Sequence, residues 1–362
     1  MDQQEDSTPR GSAIGEFELI SRLIEVIEAG SAAAPGLLTP IGDDAAALSR
    51  PAETAVYTTD TLVDGVHFIT GQIPWFDLGW KSMAVNQSDA AAMGATPLHA
   101  LVTLGVPPGM AADPFVDMYD GMLAALREFG GYIVGGDVVR SPVLFITVAL
   151  TAAAVVPAEQ ARRARCNLLP ASSEPDPGGF ALLRRDRAAP GDLLAVTGTL
   201  GASAGGRRAA AEGLPGDDAA RLRRTHFRPE PRVHQGRILA SLGVRAAIDV
   251  SDGLVDDASK LAAASGVNAL LFAALVPAHP ALLRLFPTDA LTFALSGGED
   301  YELLFAAPPA LMSAALHRLE MPATVVGHVA PAADGPPGRI TVLDEHGREV
   351  ALPSGGWDHL RA

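Results

Sequence analysis

Acidic residues recur beside glycines along this chain: Gly42-Asp43-Asp44, Asp60 followed by Asp64-Gly65 and His67, Gly136-Asp137, Asp249-Val250-Ser251-Asp252-Gly253 and Gly298-Glu299-Asp300. Asp89 adds another in a helical stretch. If several converged bare, each close pair would repel by about 4 kcal/mol at roughly 4 Å and an effective dielectric near ~20. Convergence therefore demands cations. Oxygen donors without thiolates suit Mg²⁺ better than zinc, and Mg²⁺ held by a few carboxylates and completed by phosphate oxygens is a common nucleotide arrangement.

Other chemistries drop out. The two lysines, Lys81 and Lys260, follow Trp80 and Ser259, so no phosphate-cradling Gly-Lys-Ser/Thr loop exists. No Gly-x-Gly-x-x-Gly or His-Arg-Asp motif occurs. A calcium loop starting at Asp249 fails at its last position, which is Lys260. The only cysteine, Cys166, excludes an internal disulfide and a cysteine cage for zinc. A net charge of -15 argues against nucleic acid as a partner. The start of the chain has no basic, apolar leader, and the longest apolar run, 143–156, is too short to span a membrane. A cytoplasmic protein with no membrane partner is expected.

The elements that must position these acids follow from patterning. Residues 55–59 form a β-branched strand that ends at Asp60, and 77–94 a helix whose polar face carries Asn86, Ser88 and Asp89. Strands are expected at 98–106, at 133–137 running into a Gly-Gly-Asp turn, and at 143–156, with helices at 15–29 and 114–129. Residues 157–190 break composition with Arg, Pro and Gly and read as a linker swollen by an insertion at 166–182. Beyond it come a strand at 192–197 and a Gly198–Ser203 turn before a helix, whose N–H groups could meet an anion. A solvated helix and loop (222–237), a strand at 246–250, a helix at 254–265 and a strand at 267–273 follow. Next are a helix at 279–286, a strand at 291–295, a helix at 309–320 and strands near 323–329 and 339–343. This alternation implies an α/β (α+β) chain: a leader at 1–14, an N-terminal domain at 15–156, the linker, and a C-terminal domain at 191–362.

Taken together, Gly15-Glu16-Phe17-Glu18-Leu19-Ile20, Gly42-Asp43-Asp44-Ala45, Thr58-Thr59-Asp60-Thr61-Leu62-Val63 with His67, and Asn86 through Asp89 to Gly94 resemble the thiamine-monophosphate kinase family. Gly135-Gly136-Asp137, Asp249 to Leu254, Ser296 to Leu303 and the closing Gly356-Trp357-Asp358-His359 extend the likeness over roughly 15–359. The resemblance implies the two-domain fold of aminoimidazole ribonucleotide synthetase, with N-terminal sheets pairing a homodimer and nucleotide bound nearby. It also implies phosphoryl transfer from ATP to thiamine monophosphate, giving thiamine diphosphate and ADP. By position, Asp44, Thr58, Thr59, Asp60, Asp89, Asp137, Asp249 and Asp252 would hold Mg²⁺, with Asp60, Asp89 and Asp252 nearest the chemistry. Gly136, Asp137, Arg185 and Ser251 would face ATP; His67, Glu299 and Trp357 would line the acceptor pocket. The chain departs from the family pattern in a longer 157–187 segment, in Arg185-Asp186-Arg187 for an expected Arg-Ser-Gly, in Asp64 for Glu and in Trp357 for Tyr. Two other readings share the fold: an ATP-using enzyme with another acceptor, and a nucleotide binder without activity. The His67, Glu299 and Trp357 set argues against the first, and the full complement of acids against the second.

Overall fold

The computed structural model describes residues 37–39, 43, 46–50, 53–169, 179–332 and 335–351. The leader, the expected helix at 15–29, Asp44, residues 170–178 of the expected linker and Trp357 lie outside the described residues. The β-branched runs of the N-terminal half pair into one sheet: β1 (Leu37–Thr39), β2 (Ala46–Arg50), β3 (Glu53–Val63), β4 (Thr96–Val106), β5 (Tyr132–Arg140) and β6 (Phe145–Ala154). Their order is β1-β2-β3-β6-β4-β5, antiparallel except for β4 and β5. That parallel pair is joined by a helix, as a crossover requires. Alternation along β6 buries Ile146, Val148, Leu150 and Ala152 on one face. Against this face lie α1 (Trp75–Ala92) and α2 (Asp113–Phe129), packed through Met83, Met118 and Met122.

The second sheet comprises β7 (Leu193–Thr197), β8 (Ala246–Asp249), β9 (Val267–Phe272), β10 (Leu303–Ala307), β11 (Ala323–Pro331) and β12 (Ile340–Leu343), in the order β12-β9-β11-β7-β10-β8. Helices α3 (Ala158–Cys166), α4 (Ala202–Ala211), α5 (Asp217–Phe227), α6 (Val233–Leu242) and α7 (Leu254–Ala264) accompany it. Two short helices, α8 (Pro280–Leu285) and α9 (Ala290–Ser296), and finally α10 (Pro309–Arg318), complete the described chain. One face of the sheet packs on α7, and the other on α6 and α10. Among the described residues no helix is long and apolar enough to cross a membrane.

Several expectations change. Residues 291–295 are not a strand but part of α9, because Ala290, Ala294 and Leu295 recur at helical spacing and bury one side. The Gly-Gly-Asp segment is not a turn: β5 runs straight through it to Arg140. Asp60 does not end its strand but sits inside β3, three residues before its end. The expected linker contains α3, and Ala181, Leu182 and Leu183 within it are buried core. The segment 222–237 is helix and loop as expected, spanning the end of α5, residues 228–232 and the start of α6, but it is not fully solvated: Leu222, His226 and Val233 are buried. Nor does α1 have a wet polar face. From Asp77 to Ala92 every residue but Asp89 is buried, because the helix lies between the two sheets.

Candidate active site

Helix α1 delivers side chains to both sheets at once. Ser88 donates to Asp249 Oδ2 at 2.7 Å, reaching the last residue of β8. Its neighbour Asp89 turns toward β3, where Thr58 Oγ1 donates to its carboxylate and Asp60 is in hydrogen-bond contact. Thr58 and Asp60 share a face because residues two apart in a strand point the same way. Three carboxylates from three elements, Asp60, Asp89 and Asp249, thus lie within electrostatic reach of one another, with the charge of Asp252 felt by Asp60 and Asp249. Burial, then the charge of Asp249, pushes Asp60 up to about 6 against the contact with Asp89. Asp89 rises well above the usual carboxylate range through burial and the charges of Asp60 and Asp249, and Asp249 rises mainly through burial. Such a set asks for positive charge.

The two acidic loops are neighbours because β8 and β10 pair antiparallel, with Asp249 opposite Leu303. Backbone bonds continue the pairing: Val250 N donates to Glu302 O (2.8 Å), Tyr301 N to Val250 O (2.9 Å) and Glu299 N to Ser251 O (2.7 Å). Gly298 is small for this approach: a Cβ there would stand 2.4 Å from Ser251 O, so the absent side chain lets the two loops meet. Glu299 (φ 66°) and Tyr301 (φ 52°) both occupy the left-handed region, a strain kept where side chains must be aimed. Asp257 organises the first loop, its Oδ2 accepting from the N–H groups of Ser251 (3.0 Å), Asp252 (2.9 Å) and Gly253 (3.0 Å). Lys260 contacts Asp252, Asp256 and Asp257, an internal counter-charge for that corner.

The other expected residues are placed as follows. Ser251 lies between Asp249 and Glu299 and ties their loops together. Glu299 pairs with buried Lys81 at 2.7 Å and lies 3.4 Å from His226 Nδ1. His67 sits in the turn after β3, its Nδ1 accepting from Val63 N at 3.1 Å. Arg185 pairs with Asp43 at 3.1 Å, and its charge reaches Asp249. Thr59 and Asp137 are not brought to the cluster by their side chains. Thr59 points away from Asp60 along β3, and Asp137 lies on exposed β5, with two strands between it and β3. Gly136 is in register with Val102, Val148 and Asp60, and its missing Cβ is explained by Val102 O, 2.0 Å from where that atom would be.

The N–H groups at the start of α4 do meet an acceptor, but an internal one. Asp300 accepts from Gly201 N (2.6 Å) and Ser203 N (3.1 Å). Sequence reasoning missed Asp257, Tyr301 and Lys81. Tyr301 is buried and feels the charges of Glu299, Asp60, Asp249 and Asp252, and burial first pushes its phenol well up. The signal for Asp257 was an acidic first turn on α7; for Lys81 it was a lone lysine in an apolar helix.

The AIR synthase related protein N-terminal domain matches residues 42–156 and the C-terminal domain matches 189–335. The thiamine-monophosphate kinase of Salmonella typhimurium is 35% identical over 357 residues, covering 96% of this chain and 99% of that protein. The chain belongs to the thiamine-monophosphate kinase family. Its fold is shared by the solved structure of AaThiL complexed with AMPPCP and TMP, with a TM-score of 0.77, 28% identity and coverage of 95% of this chain and 97% of that one. A thiamine-monophosphate kinase from Stenotrophomonas maltophilia K279a aligns with a TM-score of 0.68 at 35% identity, over 92% of this chain and 98% of that chain. Members of the family thus match this chain over both sheets.

Proposed function

We propose that this chain is a cytoplasmic, homodimeric thiamine-monophosphate kinase that moves the γ-phosphoryl group of ATP onto the phosphate of thiamine monophosphate. An acceptor phosphate oxygen forms the new bond to the γ-phosphorus. The bond from that phosphorus to the β–γ bridging oxygen breaks, and ADP leaves. The convergence of Asp60, Asp89 and Asp249 beside Asp252 carries this reading, together with membership of the family.

The donor set fits Mg²⁺: it is all oxygen, buried and short of positive charge. Asp60, Asp89, Asp249 and Asp252 would hold the ions, with Thr58 orienting Asp89 and Ser88 orienting Asp249. Bound there, Mg²⁺ supplies charge that offsets the negative charge of the transferred group. Asp257 fixes the loop that presents Ser251 and Asp252 to the nucleotide. Glu299 offers its carboxylate to the cationic ring of the acceptor, and His67 and Trp357 take the acceptor roles that the family likeness assigns them.

Strand β5 supports the dimer. It is a nine-residue edge with exposed Tyr132 (74%), Val134 (59%) and Val138 (67%), and carries neither Lys nor Pro to block pairing. A second copy covering this edge would also approach Asp137. The test is incubation with ATP, Mg²⁺ and thiamine monophosphate, separated by chromatography. Thiamine diphosphate should accumulate with ADP; ATP hydrolysis without it contradicts the reading.

A further inference from the structure

Lys81 is 1% exposed, among the largest fully buried side chains of the described residues, and lies midway along α1. A buried ammonium is costly unless paired. Its partner is Glu299 Oε1 at 2.7 Å, in the strained loop of the other sheet. The pair is asymmetric. A quarter of the Glu299 side chain stays open (25%), whereas Lys81 is sealed behind it. His226 closes the far side, 3.4 Å from Glu299 Oε2 and 2.8 Å from Ser203 Oγ. Burial, then Lys81, holds its ring down at about 3, so it stays neutral and Lys81 is the buried cation against Glu299. Exposed Arg207 adds charge from α4, and Asp300 and Tyr301 are the ionisable neighbours on the same loop.

Helix α1 supplies the second half of the argument. Lys81 and Ser88 are seven residues apart and share a helical face. Lys81 meets Glu299 and Ser88 meets Asp249, so one rigid, buried helix separates the two contacts by about 10 Å of rise. A ruler of that length between an aimed carboxylate and the phosphoryl-transfer cluster suits a small acceptor with a cationic ring at one end and a phosphate at the other.

We propose that Lys81 is a positioning residue: through its ion pair it aims Glu299 at the cationic ring of the acceptor, and α1 sets that contact at a fixed distance from the carboxylate cluster. This rests on the kinase reading above. Lys81 itself touches neither substrate.

The experiment compares wild type, Lys81→Met, Glu299→Gln and the double variant in steady-state kinetics with ATP and thiamine monophosphate, alongside melting curves. Lys81→Met should raise KM for thiamine monophosphate about 10- to 100-fold, the range a charge-assisted contact supplies, with KM for ATP within about threefold. The double variant should match Glu299→Gln alone, since Lys81 acts through that carboxylate. The double variant also leaves no buried lone charge, so it keeps the comparison usable if Lys81→Met does not fold. An unchanged KM for thiamine monophosphate in Lys81→Met, an equal rise for ATP, or a double variant worse than Glu299→Gln overturns the proposal. A wild type that spends ATP without making thiamine diphosphate overturns the kinase reading and this proposal with it; loss of the Lys81 effect in an active enzyme overturns this proposal alone.

Discussion

Asp60 is where charge and folding stability meet. Its carboxyl is raised from 3.8 to about 6, by burial first and then by Asp249. Between those values the native state keeps a proton that the unfolded chain has released. The stability it contributes is therefore full below about pH 4 and is lost as pH rises through about 6. Without metal, Asp60→Asn should melt several degrees above wild type near pH 8, and the gap should close toward pH 4. Added Mg²⁺ should raise the Tm of wild type and leave the variant nearly unmoved. Calorimetry across that range is the check, and a metal-free variant less stable than wild type at pH 8 would contradict it. The same substitution should cut turnover by at least about 100-fold, because it removes a donor from the cluster. The residue types of the site were legible in the sequence, since metal and phosphate chemistry needs carboxylates beside small residues. Lys81 was not legible as a partner, because only the fold puts Glu299, more than two hundred residues away, against it.

At the scale of elements, most long local patterns among the described residues were legible, and features that depended on pairing were not. Helices α1, α2 and α7 follow from apolar spacing, and β3, β6 and β11 from β-branched runs. The short apolar run in α9 is ambiguous between helix and strand, and packing against α7 decides it. Whether Gly-Gly-Asp turns or runs on depends on β4 beside it, which no local pattern reports. Gly136 is the sharpest case. With Val102 O only 2.0 Å from its Cβ position, Gly136→Ala should push β5 off β4. The expected cost is about 1–3 kcal/mol of unfolding free energy, as for overpacking elsewhere. Urea denaturation measures it, and an unchanged midpoint would show that the strand pair yields without cost.

For the whole molecule, α1 between two sheets explains why the site exists: neither sheet alone assembles it. Other contacts hold the two halves together, among them the Trp80 Nε1 bond to Pro229 O (2.8 Å) and the Arg228 pair with Asp77. The open edge at β5 points to a second copy, so light scattering should give twice the monomer mass of 37.4 kDa. Val138→Asp, placing a charge on that edge, should shift the mass toward the monomer; a monomeric wild type at working concentration would remove the dimer from the account. The most direct test follows the transferred group itself, using ATP radiolabelled in its γ-phosphate with Mg²⁺ and thiamine monophosphate. The label should appear in the terminal phosphate of thiamine diphosphate, one for each ADP formed. Label found only in inorganic phosphate, with thiamine monophosphate unchanged, would contradict the central claim.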